Sequence, residues 1–448
     1  MNTPIFDFVR EYEKKKSIRL HMPGHKGNDF LGFEKHDITE IDGADSLFEA
    51  EGIIFESEKN AGEIFGCDTF YSCEGSSLCI RAMLYLACAY AVRNNKKPFI
   101  LAGRNAHKSF FSAAALLDFE CEWLYPEDDE IYLSCKINTE KLDDILFKMK
   151  EKPTAVYITS PDYLGNTCDI GAISKICHKH GVFLLVDNAH GAYLRFFPNS
   201  LHPIDLGADL CCDSAHKTLP VLTGGAYLHI NNNVSDLFSS MAKNALALFA
   251  SSSPSYLILQ SLDLANRYLY SEFSAKLEQL THSVCRLKDK LIAVGYTLIG
   301  DESTKITIST KPYGYNGNQF AKLLLKKNIV CEFYDNDFVV LMFTPELGEI
   351  ALKRIEETLL SIKRKTPILS KPPVFSKAEK IMNIREAVLS PCKVLHADEC
   401  EGQVLSFSTV GCPPAVPIVA PGERINKMAI DCFKYYGYST CLVVDKKQ

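Results

Sequence analysis

The sequence predicts an α/β fold, with a large domain built on a mostly parallel sheet and a smaller C-terminal α+β domain. Three observations carry this. From about residue 57 to 290, helical segments alternate with short apolar runs at Phe99 to Ala102, Ala155 to Thr159, Val182 to Val186, Leu210 to Cys212 and Ala226 to Ile230. Such unbroken runs suit strands covered on both faces, where every side chain loses water. One junction is legible residue by residue. Ile173 to His180 reads as a helix, Gly181 as its left-handed cap and Val182 to Val186 as the next strand, which leaves His178 and His180 as plain helix-end residues. After about 290 the pattern changes to shorter strands, Lys305 to Ser309, Phe338 to Phe343 and Thr440 to Val444, mixed with helices. The proline-rich stretch Thr366 to Pro373 reads as a linker there. The expected organisation is an arm over 1–30, a large domain over 31–290 and a small domain over 291–448.

A chain of 448 residues is longer than a single core usually supports. With 47% hydrophobic and 23% charged residues it has the composition of a globular protein. The net charge of -6 and the absence of a Lys/Arg stripe argue against nucleic acid as a partner. Asp7, Arg10, Glu11 and Glu13 exclude a secretory signal in the first twenty residues, and no run approaches the roughly 20 apolar residues of a membrane span. The 17 cysteines form no Cys-x-x-Cys pair. They read as free, buried thiols of a reducing, cytoplasmic compartment, and no Cys/His set has metal-ligand spacing, so no metal is expected. His21 and His25 are four apart, but Pro23 and Gly24 between them exclude a shared helix face.

The chemistry gathers at the predicted strand ends, where an open parallel sheet places its ligands. Asp213 to Thr218 follows the strand Leu210 to Cys212 and puts Lys217 in a loop. A lysine amine, with a pKa of about 10.4, becomes useful when its environment lowers that value or converts it to an imine. Asp187 ends the preceding strand, about thirty residues earlier, and an anion there suits a protonated pyridine nitrogen; a helix cap or a magnesium ligand is the plainer alternative. Gly75, Ser76 and Ser77 open a helix running from about Leu78 to Ala91, where amides and hydroxyls cradle a phosphate, although Ser76 reads equally as an N-cap. His107, within Arg104 to Ser109, offers a flat ring for stacking. Together these groups are what pyridoxal 5'-phosphate requires, in the order found in aspartate aminotransferase-like folds.

The chain also resembles the ornithine/lysine/arginine decarboxylase family over nearly its whole length. The resemblance rests on His21 to Gly27, Asp37 to Glu40, Glu51 to Ile54, Gly75 to Ser77, Arg104 to Ser109, Ser160 to Gly165, Asp187 to Gly191, Ser214 to Lys217 and Pro421 to Glu423. It implies a seven-stranded, aspartate aminotransferase-like large domain, pyridoxal phosphate held as an aldimine on Lys217, and decarboxylation of arginine, lysine or ornithine. By the same resemblance Ser76, Ser77, Ser214 and His216 bind the phosphate, Asp187 pairs with the pyridine nitrogen and His107 stacks on the ring. Ala189 packs beneath the ring, and Glu423 receives the distal cation of the substrate. A homodimer with its active sites at the interface is implied too. The sequence departs from the family pattern at Asn188, where glutamate is usual, and at Phe48, Gln403 and Cys412 to Ala415. Two other readings stand beside this one. An aminotransferase or eliminating lyase would need an arginine clamp, for which Arg385 and Arg424 are available. A cofactor-binding homologue without turnover would need none.

Overall fold

The computed structural model describes residues 1–126, 131–409, 411 and 414–445; of the family departures, Cys412 and Pro413 lie outside these. Seven strands form the large sheet: β1 (Asp68–Ser72), β2 (Phe99–Gly103), β3 (Glu120–Leu124), β4 (Ala155–Thr159), β5 (Phe183–Asp187), β6 (Leu210–Asp213) and β7 (Ala226–Ile230). Their order is β1-β7-β6-β5-β4-β2-β3. The sheet is mostly parallel, with β7 antiparallel to both β1 and β6. Every residue of β6 and β7 is buried, as their apolar composition requires. β1 and β3, which the apolar-run criterion passes over, are the two edges of the sheet; β1 reads Asp-Thr-Phe-Tyr-Ser, and β3 begins with the alternation Glu-Cys-Glu.

The chain divides into two compact units, one of 1–96, 154–156 and 170–276, the other of 97–153, 157–169 and 277–448. In the first, the helix Gly75–Arg93 packs against β6, β7 and the helix Ser235–Ala247. Its apolar residues spread around most of its circumference, as suits a helix largely covered by protein, and Arg81 lies on a half-buried side. By length and composition it could cross a membrane, which corrects the expectation that no run is long enough; 61% of its apolar window is buried inside the fold. The N-terminal helix Pro4–Lys14 buries Ile5 and Val9. The amide of Phe6 donates to the Asp263 carboxylate at 3.0 Å. The predicted junction at Gly181 is present: its φ is +67°, its amide donates to His178 O at 3.0 Å, and the Val182 amide donates to Cys177 O at 3.0 Å. His178 is less plain than expected, because its Nε2 lies 3.1 Å from the Asp209 carboxylate.

The second unit adds β8 (Thr297–Ile299), β9 (Lys305–Ser309), β10 (Phe333–Tyr334) and β11 (Phe338–Met342), ordered β10-β11-β9-β8, and the hairpin of β12 (Cys392–His396) with β13 (Thr440–Val444). Thr366 to Pro373 has neither helix nor strand, yet it is strapped down. Ile368 N donates to Lys311 O at 3.0 Å, and Lys311 Nζ donates to Ser370 O at 2.8 Å. Every described cysteine is free and most are buried, but Cys285 and Cys392 are exposed, contrary to the expectation for all of them.

Candidate active site

In the first unit, the carboxyl ends of β5 and β6 set the candidate groups. β6 ends at Asp213, and Ser214 leads into a helical turn, Ala215–Thr218, so Lys217 sits on one turn of helix rather than in the predicted loop. Two glycines tie this turn to the helix start. Gly75 N donates to Gly224 O at 2.7 Å, and His216 N donates to Gly225 O at 3.2 Å. At Gly224, φ is +103° and a Cβ would stand 2.7 Å from Cys73 O, so only glycine lets the two backbones approach this closely. Across the junction Ser214 Oγ donates to Ser76 Oγ at 2.7 Å. Ser76 is not an N-cap: Glu74 holds that position and Gly75 is the first helical residue. Lys217 Nζ lies 3.0 Å from His190 Nε2. Asp187 is 2% exposed, and its Oδ1 accepts from Ala189 N at 3.2 Å.

Behind these ends lies a network that the sequence reading missed. Asp213 is fully buried and takes hydrogen bonds from Asn188 Nδ2 at 2.7 Å, His202 Nε2 at 3.0 Å and His229 Nε2 at 3.2 Å, with the Cys211 thiol donating more weakly at 3.9 Å. The other nitrogen of each ring is also engaged, His202 Nδ1 by Ile204 N and His229 Nδ1 by Thr69 Oγ1. Both rings therefore present their Nε2 hydrogens to Asp213. The departure at 188 now has a physical reason: an amide there donates to Asp213, whereas a glutamate would set a second carboxylate against a buried one. Ligand atoms of His202, Cys211 and Asp213 all lie within 4.8 Å of one another, a grouping that sequence spacing does not reveal, and both imidazole nitrogens facing Asp213 are committed to hydrogen bonds.

This network makes the fold acid-sensitive. Burial by itself would raise the Asp213 pKa, but His202 and His229 outweigh it and hold the carboxyl well below the usual range. Burial lowers the pKa of His229 against the pull of Asp213. Both shifts are depressions, so both contributions are present above the unfolded pKa values and are lost as pH falls, His229 from about 6.5 and Asp213 from about 3.9. Urea unfolding of the wild type is expected to show stability dropping below about pH 6.5 and again below about pH 3.9. In Asp213→Asn the lower drop is expected to vanish while the upper one persists, because His229 then keeps the burial that depresses it and loses the carboxylate that opposes it. An unchanged slope below about pH 3.9 in the variant would assign the acid sensitivity elsewhere.

In the second unit His107 caps the helix Lys108–Leu117, its Nδ1 accepting from Ser109 N at 3.2 Å. Arg104 is 1% exposed and Glu423 3%; Nη2 and Oε2 meet at 3.2 Å. Arg104 also donates to Pro417 O at 2.8 Å and Ile418 O at 3.0 Å. Its guanidinium lies 5.3 Å from the Trp123 ring centre and 5.4 Å from that of Phe375. Glu423 Oε2 accepts from Ala420 N at 2.7 Å. The carboxylate expected to receive a substrate cation is thus already paired within its own chain, and the cavity it borders, of about 20 Å³, holds about one water. Of the arginines available for a carboxylate clamp, Arg424 pairs with Glu379 at 2.8 Å and Arg385 donates to Ala115 O at 3.0 Å. His21 and His25, outside any helix, turn to Tyr12 Oη at 2.7 Å and Asp37 Oδ2 at 3.2 Å.

A lysine on the turn after β6, a carboxylate closing β5 and hydroxyls at a glycine-opened helix start fit pyridoxal phosphate, and in this sheet order they define an aspartate aminotransferase-like pyridoxal phosphate enzyme. Residues 3–294 match the family model for the major domain of Orn/Lys/Arg decarboxylase, and the chain belongs to that family of carboxy-lyases. Among curated proteins it is 29% identical to the uncharacterized protein YaaO of Bacillus subtilis, over 96% of this chain and 93% of that protein. It is 28% identical to the arginine decarboxylase of B. subtilis, over 95% and 91% of the two chains. In fold it is similar to a lysine decarboxylase of Francisella novicida, with a TM-score of 0.81 at 16% identity over 99% of this chain and 81% of the other. For the constitutive lysine decarboxylase of Escherichia coli the TM-score is 0.77 at 16% identity, over 99% and 82%.

Proposed function

We propose that the chain removes carbon dioxide from arginine, lysine or ornithine, with pyridoxal phosphate held by Lys217. The observation that carries this reading is the placement of Lys217 Nζ 3.0 Å from His190 Nε2 in the same unit as the buried Asp187. In this reading Gly75, Ser76, Ser77, Ser214 and His216 hold the phosphate, Asp187 faces the pyridine nitrogen, His107 stacks on the ring and Ala189 leaves room beneath it. When bound, the cofactor supplies an electron sink for the pair left as the carboxylate departs. The chain supplies proton handling: His190, beside Lys217 Nζ, is placed to take a proton from the amine and to return one. Asp213 and its histidines keep the ends of β5 and β6 in register. Glu423 serves the distal cation of the substrate by sharing its carboxylate with Arg104.

On this reading residues 1–30 are an arm, 31–290 the cofactor domain and 291–448 a smaller domain. The enzyme works in the cytoplasm as a homodimer or larger assembly and feeds polyamine synthesis. Support for an assembly comes from the segment 18–31, where Ile18 is 89% exposed, Leu20 90% and Phe30 79%, a density of bare apolar side chains that marks interfaces. The transaminating alternative is weakened, because Arg385 and Arg424 both have partners. The test offers arginine, lysine and ornithine to the cofactor-loaded protein, with products identified by mass and the same preparation run in sedimentation. An amine with carbon dioxide from one of the three, and a dimer or larger species, are expected. Keto acid, or no product from any of them, would overturn the reaction; a monomer would overturn the assembly.

A further inference from the structure

The second unit contains a cavity of about 260 Å³ walled by Tyr132, Phe333, Tyr334, Tyr436 and Tyr438, with Asp335 in its lining. The rings are set against one another: Tyr132 and Tyr436 meet edge to face with centroids 4.9 Å apart. Asp335 Oδ1 accepts from the amides of Asp337 at 2.7 Å and Phe338 at 2.8 Å. Its Oδ2 is buried and has no hydrogen-bond partner. A buried acceptor left unmade costs about 1–3 kcal/mol, more when charged, so such an atom calls for a ligand.

The local charge is negative. Lys311 pairs with Asp337 Oδ1 at 2.7 Å and donates to Ser370 O and to the Tyr435 hydroxyl. Tyr435 Oη also donates to Asp337 Oδ1, at 2.8 Å. One lysine thus stands against two aspartates, and Asp337 Oδ2 is a second buried acceptor without a partner. Burial pushes the Asp335 carboxyl up to about 6, and the charge of Asp337 adds to this. An incoming cation relieves both effects. Ring faces around a carboxylate suit an organic cation, since each face carries negative quadrupole density. They do not suit a hard metal ion, which demands six or more oxygen ligands.

We infer that this tyrosine-walled cavity binds a small alkyl ammonium or guanidinium ion through Asp335 and the surrounding ring faces. The cavity is somewhat smaller than the roughly 300–1,000 Å³ of drug-sized sites, so it fits a short chain. The choice of an amine among organic cations rests on the proposed decarboxylation. Loss of the α-carboxylate turns a basic amino acid into a species with positive charge only, which this cavity accepts, while the amino acid's own carboxylate would be repelled by Asp335 in the cavity lining. The site thereby distinguishes product from substrate.

The test is calorimetric titration of the full-length, cofactor-loaded protein with 1,5-diaminopentane and, separately, butylguanidine, with pentan-1-ol as the uncharged control. Asp335→Asn keeps the Oδ1 acceptor for its two amides and removes the charge; Tyr436→Leu removes one wall. Each variant is expected to weaken one binding event by at least about tenfold, to leave a second event at the active site, and to leave the KM for the amino acid unchanged. Tighter binding of either cation supports the site and names its preferred head group. Titrations unchanged in both variants, or equal binding of pentan-1-ol, overturn it. A KM that rises in step with the lost amine affinity would make the cavity part of the substrate pocket and overturn a separate site. Binding of the cations in a protein that releases no carbon dioxide would keep the cavity and remove only the decarboxylase reading.

Discussion

Lys217→Ala is expected to lose amine release by at least about 10³-fold, because the variant removes both the amine that bonds the cofactor and a proton carrier at the reacting centre. Its cofactor is expected to dissociate on gel filtration, with loss of the visible absorbance of the wild-type protein. The far-ultraviolet circular dichroism should not change, since Lys217 sits on a single half-buried turn whose backbone bonds, such as Lys217 N to Ser214 O at 3.0 Å, do not involve its side chain. His190→Gln separates the two duties of the lysine: absorbance is expected to remain while turnover falls. Normal turnover in Lys217→Ala would remove the site assignment.

The second large effect concerns stability. Glu423→Gln leaves the Arg104 guanidinium buried without its charged partner, and Arg104→Met does the same to the carboxylate. Each is expected to cost about 3–5 kcal/mol in urea unfolding, as for other buried pairs broken from one side. The double variant is expected to lose less than the sum of the two, because neither charge is then left stranded. The same proteins decide whether Glu423 also serves the substrate. A KM for the basic amino acid that rises in Glu423→Gln more than in Arg104→Met supports a shared carboxylate, and equal KM values would leave Glu423 a purely structural partner of Arg104. Unfolding midpoints that match the wild type would show that the pair does not hold the second unit together.

How much of this was legible in the sequence depended on where each element sits. β4 and β7 have the bounds that their apolar runs predict, β2 and β6 each run one residue further at the carboxyl end, and β5 is shifted by one residue at both ends; the agreement is close because a strand covered on both faces is built mainly of apolar side chains. β1 and β3 escaped notice because an edge strand meets water on one side. The sequence of β3, Glu120-Cys121-Glu122, alternates accordingly. The helix start at Gly75 also fell three residues before the expected Leu78, since a glycine with positive φ gives no helical signal of its own.

The candidate site divides in the same way. Lys217, Asp187, Ser76 and Ser214 could be named from the sequence because each lies within a residue or two of a strand end or helix start, and local pattern reports such ends. His202, Asp213 and His229 could not, although Asp213 closing an apolar strand was a signal that went unused. Their meeting depends on the pairing of β6 with β7 and on a loop that returns between β5 and β6. Nor could the sequence pair Arg104 with Glu423 or set Asp335 among tyrosines far from it in the chain. Local order, and with it the cofactor class, was thus determined by the sequence alone, since it follows from the neighbours of each residue. Which charges are neutralised, and which buried oxygen is left to bind something else, was decided only by tertiary structure, because electrostatic partners are set by distance through space rather than along the chain.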